Sequence, residues 1–152
     1  MIDEEGAARR RLSRREKLMQ QQTAGEVLEA FERYTQAFQA LDPRAVARHF
    51  HEPALFITPK EIRALPTAAA VEQAYAQVMA DLPPDYARTE FGPLSVHRLG
   101  DDLAMVSGSG AWKTADDKDL MPFGMTYTLR LTGQAWRIAV VAIHAPDGGP
   151  GR

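Results

Sequence analysis

Four histidines, four tyrosines and a scatter of carboxylates are what this 152-residue chain offers for acid–base or nucleophilic chemistry, because it has no cysteine. Without thiols there is no thiol nucleophile, no disulfide scaffold and no cysteine-ligated zinc or iron–sulfur centre. His144 has the most to offer. It ends an alternating run through Trp136, Ile138, Val140 and Ala142, and an imidazole that titrates near neutrality there could act as general base or donate to a ligand. The competing reading is a surface histidine at a strand end. His49 and His51 look like a metal pair, yet on a helix i and i+2 point about 200° apart, so they share an ion only if the segment is extended. One is expected to face the core beside Phe50 and the other solvent. Glu90 opens a long alternating stretch; burial there would raise its pKa into a useful range, although an exposed strand face is the simpler expectation. His97 and Arg98 lie near a turn and read as surface. Tyr34 sits in an apolar helical stripe, which suits pocket lining or ordinary core packing equally well. There is no glycine-rich phosphate loop, no Gly-x-Ser-x-Gly elbow and no His-Glu-x-x-His helix, which disfavours nucleotide, serine-hydrolase and zinc-protease chemistry.

The elements that must position these residues follow from periodicity. Val27, Phe31, Tyr34, Phe38 and Leu41 form the stripe of an amphipathic helix from Thr23 to Asp42-Pro43. Asp42 and Pro43 then suit the cap and first position of a short second helix, Pro43 to His51. Pro53 ends it, and Ala54 to Thr58 reads as a strand. A third helix follows Thr67 and carries Val71, Tyr75, Val78 and Leu82 before Pro83-Pro84. Beyond Asp85 the period becomes 2, giving strands at about Arg88–Arg98, Leu103–Thr114, Met121–Leu131 and Gln134–His144. Their short connections make them antiparallel neighbours. Gly92-Pro93 predicts a bend, and Ser107-Gly108-Ser109-Gly110 leaves room for curvature or a close approach. The fold class is therefore α+β: three N-terminal helices on a strongly curved antiparallel sheet, with an apolar pocket between.

Hydrophobic residues make up 45% and charged ones 25%, the balance of one ordinary globular domain. That domain is placed at residues 23–147, between a basic, flexible extension at 1–22 and a disordered tail at 148–152. The net charge of −2 is uneven. Residues 1–22 hold six basic side chains against four acids, so the remainder is acidic, and an acidic body argues against a nucleic-acid surface. The longest aliphatic run, Ile138 to Ile143, is far short of a membrane span. No secretory signal is seen, and the lack of cysteine fits a reducing compartment, so the cytoplasm is the expected location.

Helix, short helix, strand, helix and then long antiparallel strands is an order that resembles the nuclear transport factor 2-like superfamily, the cone shared by SnoaL-like cyclases and steroid isomerases. EVLEAFERYTQAFQALDPRAVARHFHEPALFITP at 26–59, the helix at 68–82 and AWRIAVVAIHAPDG at 135–148 carry the likeness. It implies a homodimer joined through the outer sheet face and a cofactor-free pocket inside the cone for a small apolar molecule. The lining it implies is Tyr34, Phe38, Phe56, Thr58, Tyr75, Met105, Trp112, Tyr127, Trp136 and His144, with Tyr34 and His144 as the paired polar groups. Tyr34 matches the isomerases' oxyanion donor. Their base position, before the proline that ends the first strand, is here Thr58, which cannot take a proton from carbon at neutral pH, and no acid lies between Phe123 and Leu131. Steroid-isomerase chemistry is therefore set aside. What remains is a small-molecule binder or SnoaL-like enzyme, a dehydratase or cyclase with His144 as base, or a non-catalytic association module.

Overall fold

A computed structural model describes residues 11–146; the expected tail at 148–152 and the first ten residues lie outside them. Helix α1 (Arg14–Gln39) opens on a capping box. The Ser13 hydroxyl accepts from the Glu16 N–H, and the Glu16 carboxylate accepts from the Ser13 N–H. The helix thus begins at Arg14 rather than near Thr23, and residues 14–22 of the expected extension are helical. It buries Val27, Ala30, Phe31, Tyr34 and Ala37; of the expected stripe, Phe38 is only partly buried and Leu41 lies past the end of the helix and is exposed. At its end the Leu41 N–H donates to the Phe38 carbonyl and the Asp42 N–H to that of Ala37, with Leu41 in the left-handed region at φ 55°, a Schellman close normally built on glycine.

Asp42 caps α2 (Pro43–Ala47) through the Ala45 N–H, as its sequence implies. The helix stops at Ala47 and does not reach His51. Phe50 already pairs with Ile138, and the His49 carbonyl accepts from the Ile138 N–H, so the sheet claims this backbone before a second turn can form. Strand β1 (Phe50–Ile57) turns back into β2 (Ile62–Leu65), a strand the sequence reading does not contain. Pro53 lies inside β1, where pairing with the last strand slips between Phe50 and Leu55. Helix α3 (Ala68–Ala80) starts at the expected Thr67 cap and buries Val71, Ala74 and Tyr75.

The remaining strands are β3 (Arg88–Phe91), β4 (Ser95–Arg98), β5 (Leu103–Lys113), β6 (Asp119–Thr132) and β7 (Ala135–His144). The expected strand 88–98 is broken in two at Gly92-Pro93. Both halves pair with β5, and the crossover presses on it: a side chain at Gly108 would meet Pro93 and Leu94, and one at Gly110 the Glu90 carbonyl and Phe123. Spatial order is β2-β1-β7-β6-β5-β3, with β4 also on β5. All pairs are antiparallel except β1 with β7, which makes the sheet mixed rather than purely antiparallel. Helices and sheet form an α+β cone whose core joins Phe31 and Val27 to Val71, Val106, Met125, Leu129, Ile138 and Val141.

Candidate functional site

Three tyrosines from three elements meet inside the cone. The Tyr34 hydroxyl of α1 lies 2.8 Å from that of Tyr75 on α3 and 2.8 Å from that of Tyr127 on β6. Each ring is at most 4% exposed. Burial, first of all, pushes the three phenols well above the ordinary tyrosine value, so they are neutral throughout the physiological range. Phe31, Phe38, Phe50 and Phe56 stack edge-on or tilted against them, which fixes the rings and keeps water from the hydroxyls.

Beside this trio lies an apolar cavity of about 80 Å³, lined by Tyr34, Thr35, Phe38, Phe56, Tyr75, Val78, Thr89, Phe91, Trp112, Met121, Phe123, Tyr127, Val141 and Ile143. An apolar cavity of about 150 Å³ holds benzene, so this partly open one of about 80 Å³ has room for only one apolar end of a molecule of that size. Its walls contain no His, Asp, Glu, Lys or Arg. At its rim the Tyr86 hydroxyl bonds Thr89 Oγ1 at 2.8 Å. The Gln39 amide clamps the Thr89 backbone, accepting from its N–H at 3.1 Å and donating to its carbonyl at 3.3 Å, so the end of α1 is tied to the outermost strand.

Of the residues expected to line the pocket, Tyr34, Phe38, Phe56, Tyr75, Trp112 and Tyr127 do so. Four do not. Thr58 makes the β1–β2 turn: its N–H donates to the Glu61 carbonyl and its hydroxyl accepts from the Lys60 and Glu61 N–H groups. Met105 pairs with His97 and Thr128 on the outer sheet face, since Ala104 and Val106 take the inner one. Trp136 lines a separate cleft.

His144 is corrected by a β-bulge. Thr128 pairs with Val140 but Leu129 with Ile138, leaving Ala139 as an extra residue. Beyond it the phase of β7 is inverted. Val141 and Ile143 face the cavity, and His144 joins Val140 and Ala142 on the outer face. There its Nδ1–H donates to the Ala145 carbonyl and its Nε2 accepts from Thr126. Tyr34 and His144 therefore stand on opposite sides of the sheet and form no pair.

His49 and His51 also separate. His49 lines the second cleft with Trp136; His51 bonds the Pro53 carbonyl and Arg130; Phe50 between them is the core residue. Glu90 is exposed, and the hydrogen bond from Arg88 holds its carboxyl below the usual range. Among the described residues no cluster of histidine and carboxylate side chains is fit for a metal ion, and no helix is long and apolar enough to cross a membrane. The sequence reading missed eight lining residues: Thr35 and Val78 on the helices, and Thr89, Phe91, Met121, Phe123, Val141 and Ile143 on strands, where alternation carried an available signal except that the bulge hides the last two.

A family model described as NTF2-like protein (DUF6841) matches residues 25–146. None of the curated proteins is significantly similar to the chain. Among solved structures, an NTF-2 like protein of unknown function from Shewanella oneidensis MR-1 superposes with TM-score 0.65 at 17% identity, covering 80% of this chain and 98% of that one. An NTF2-like protein with a cystatin-like fold from Novosphingobium aromaticivorans gives 0.65 at 18%, covering 88% of both chains. One of unknown function from Pseudomonas putida KT2440 gives 0.65 at 20%, covering 82% and 88%. At these identities the likeness is one of fold.

Proposed function

The chain belongs to the NTF2-like family, and from that premise we propose that its cone cavity receives a small, largely apolar molecule carrying one hydrogen-bond acceptor, a carbonyl or phenol oxygen. A count of protons in the tyrosine trio carries this reading. Three hydroxyls bring three protons, while the two contacts among them use two. Whichever way the bonds run, one O–H is left to donate. A buried donor without a partner costs about 1–3 kcal/mol, and a ligand oxygen entering among apolar walls would remove that cost. The same walls hold no group able to take a proton from carbon at neutral pH, which supports binding over proton abstraction. The test is thermal and calorimetric titration with matched pairs of probes, an aryl ketone or phenol against the hydrocarbon of the same shape. The ketone or phenol should stabilise the protein and bind about tenfold more tightly than the matched hydrocarbon; equal response to both members of each pair, or none, would sink the reading.

A second reading, association of two copies through the outer sheet face, is favoured by that face's composition. Ser107, Ser109, Thr126, Thr128, Val140 and Ala142 fill its middle without a charge, whereas Arg88, Glu90, Lys113 and Arg130 lie towards its margins. Charge-poor centres with polar rims are what protein interfaces present. Sedimentation at micromolar concentration should give a dimer; a strict monomer would refute it.

A further inference from the structure

A cleft of about 290 Å³ opens between α1, the α2–β1 turn and the start of β7, and it shares no residue with the tyrosine cavity. Arg33 on α1, Arg48 in the turn and Arg137 on β7 bring three guanidinium groups to it, with His49 in their midst. Arg137 is held in place by donating from Nη1 to the Arg48 carbonyl at 2.6 Å. Neither Arg48 nor Arg137 has a carboxylate in ion-pairing reach among the described residues. Arg33 meets Glu29 at 3.6 Å, with both side chains well exposed, a contact worth little in water. Glu26 is the other acid in the wall.

Arg48 and Arg137 meet there without carboxylate partners among the described residues, and Arg33 adds a third guanidinium only loosely paired with Glu29; like charges so placed repel one another, and an anion between them relieves that repulsion. A carboxylate offers two oxygens in one plane. A tetrahedral oxyanion offers four, and so meets guanidinium donors arriving from separate directions. We propose that this cleft binds a tetrahedral dianion, a phosphate or sulfate group, through Arg48 and Arg137, with Arg33 at its edge and Trp136 as its apolar wall.

His49 supplies an internal reporter. It is half-buried, and burial, followed by Arg33, Arg137 and Arg48, lowers its pKa below the ordinary histidine value. The charged groups that face it are Glu26, Glu29 and Arg33 from α1, Arg48 from its own turn and Arg137 from β7. A bound dianion offsets the arginines and favours the imidazolium, so by linkage affinity rises as pH falls towards the His49 titration.

The full chain is titrated with sulfate, whose charge is constant over this range, at fixed ionic strength, and the His49 ring is followed by NMR between about pH 5 and 8. Saturable binding, tighter at the acid end, with the His49 midpoint moved upward, is expected. Arg48→Gln, whose side chain makes no bond within the fold, should weaken it about tenfold, Glu26→Gln should tighten it, and Arg63→Gln on the exposed β2 strand should leave it unchanged. Phosphate and a simple phosphate monoester, run beside sulfate, distinguish a free ion from a headgroup as the natural source. Non-saturating shifts, an unmoved His49, or equal weakening by Arg48→Gln and Arg63→Gln would overturn the proposal.

Discussion

Tyr34 is the residue on which the cavity turns, since it alone touches both other hydroxyls. In Tyr34→Phe two buried hydroxyls lose their partner, and a loss of about 1–3 kcal/mol in unfolding free energy is expected by urea titration. The trio also sets a pH limit. Each folded phenol titrates above its unfolded counterpart near 10. The stability it contributes is complete below about pH 10, and is lost as pH rises beyond it because the unfolded chain releases its protons first. The urea midpoint should therefore fall steeply above about pH 10, and tyrosinate absorbance should rise together with unfolding; Tyr34→Phe, though weaker at neutral pH, should lose less on going alkaline. Ionisation of the trio in the folded protein would contradict this. At this scale the sequence was half legible. Tyr34, Phe38 and Tyr75 fall on helical stripes whose inward face is unambiguous, whereas His144 depends on a strand phase that one extra residue inverts.

Among the elements, helix caps are the most legible in sequence because their punctuation is local. Asp42-Pro43 and Thr67 cap α2 and α3 as their chemistry predicts. Ser13-x-x-Glu16 is an equally local signal that would have placed the true start of α1. Strand limits are settled by partners distant in sequence: Ile138 draws Phe50 out of a helix, and β2 exists only because β1 lies beside it. The close of α1 is a further local feature with a measurable cost. Leu41 is half-exposed and left-handed at φ 55°, a conformation that costs a non-glycine residue about 1–2 kcal/mol. Leu41→Gly should raise stability by about 1 kcal/mol and the melting temperature by about 2–4 °C; a decrease would mean that Leu41 packs more usefully than its exposure suggests.

For the whole molecule, the order of elements gives helices closing one face of a curved sheet, because helices followed by long strands with short links leave few ways to do so; the cone itself is what the likeness to the nuclear transport factor 2-like superfamily adds. What the outer face does is a matter of composition. If two copies pair there, Thr126→Arg places a charge in the centre of the contact and should yield monomers of unchanged melting behaviour apart from lost association. An identical sedimentation profile would locate any dimer elsewhere.

The Gln39 clamp on Thr89 bears on how this protein behaves in company. A sheet with β3 at its border offers a row of backbone groups to any passing extended chain, and such borders are where folded proteins recruit one another into fibrous aggregates. One side-chain amide, imitating the peptide group of an absent neighbour, occupies both groups of Thr89. The helix that lines the apolar cavity thereby also covers part of the sheet's open border, so a substitution such as Gln39→Ala would uncover one edge residue's backbone at the same place where α1 meets the cavity wall.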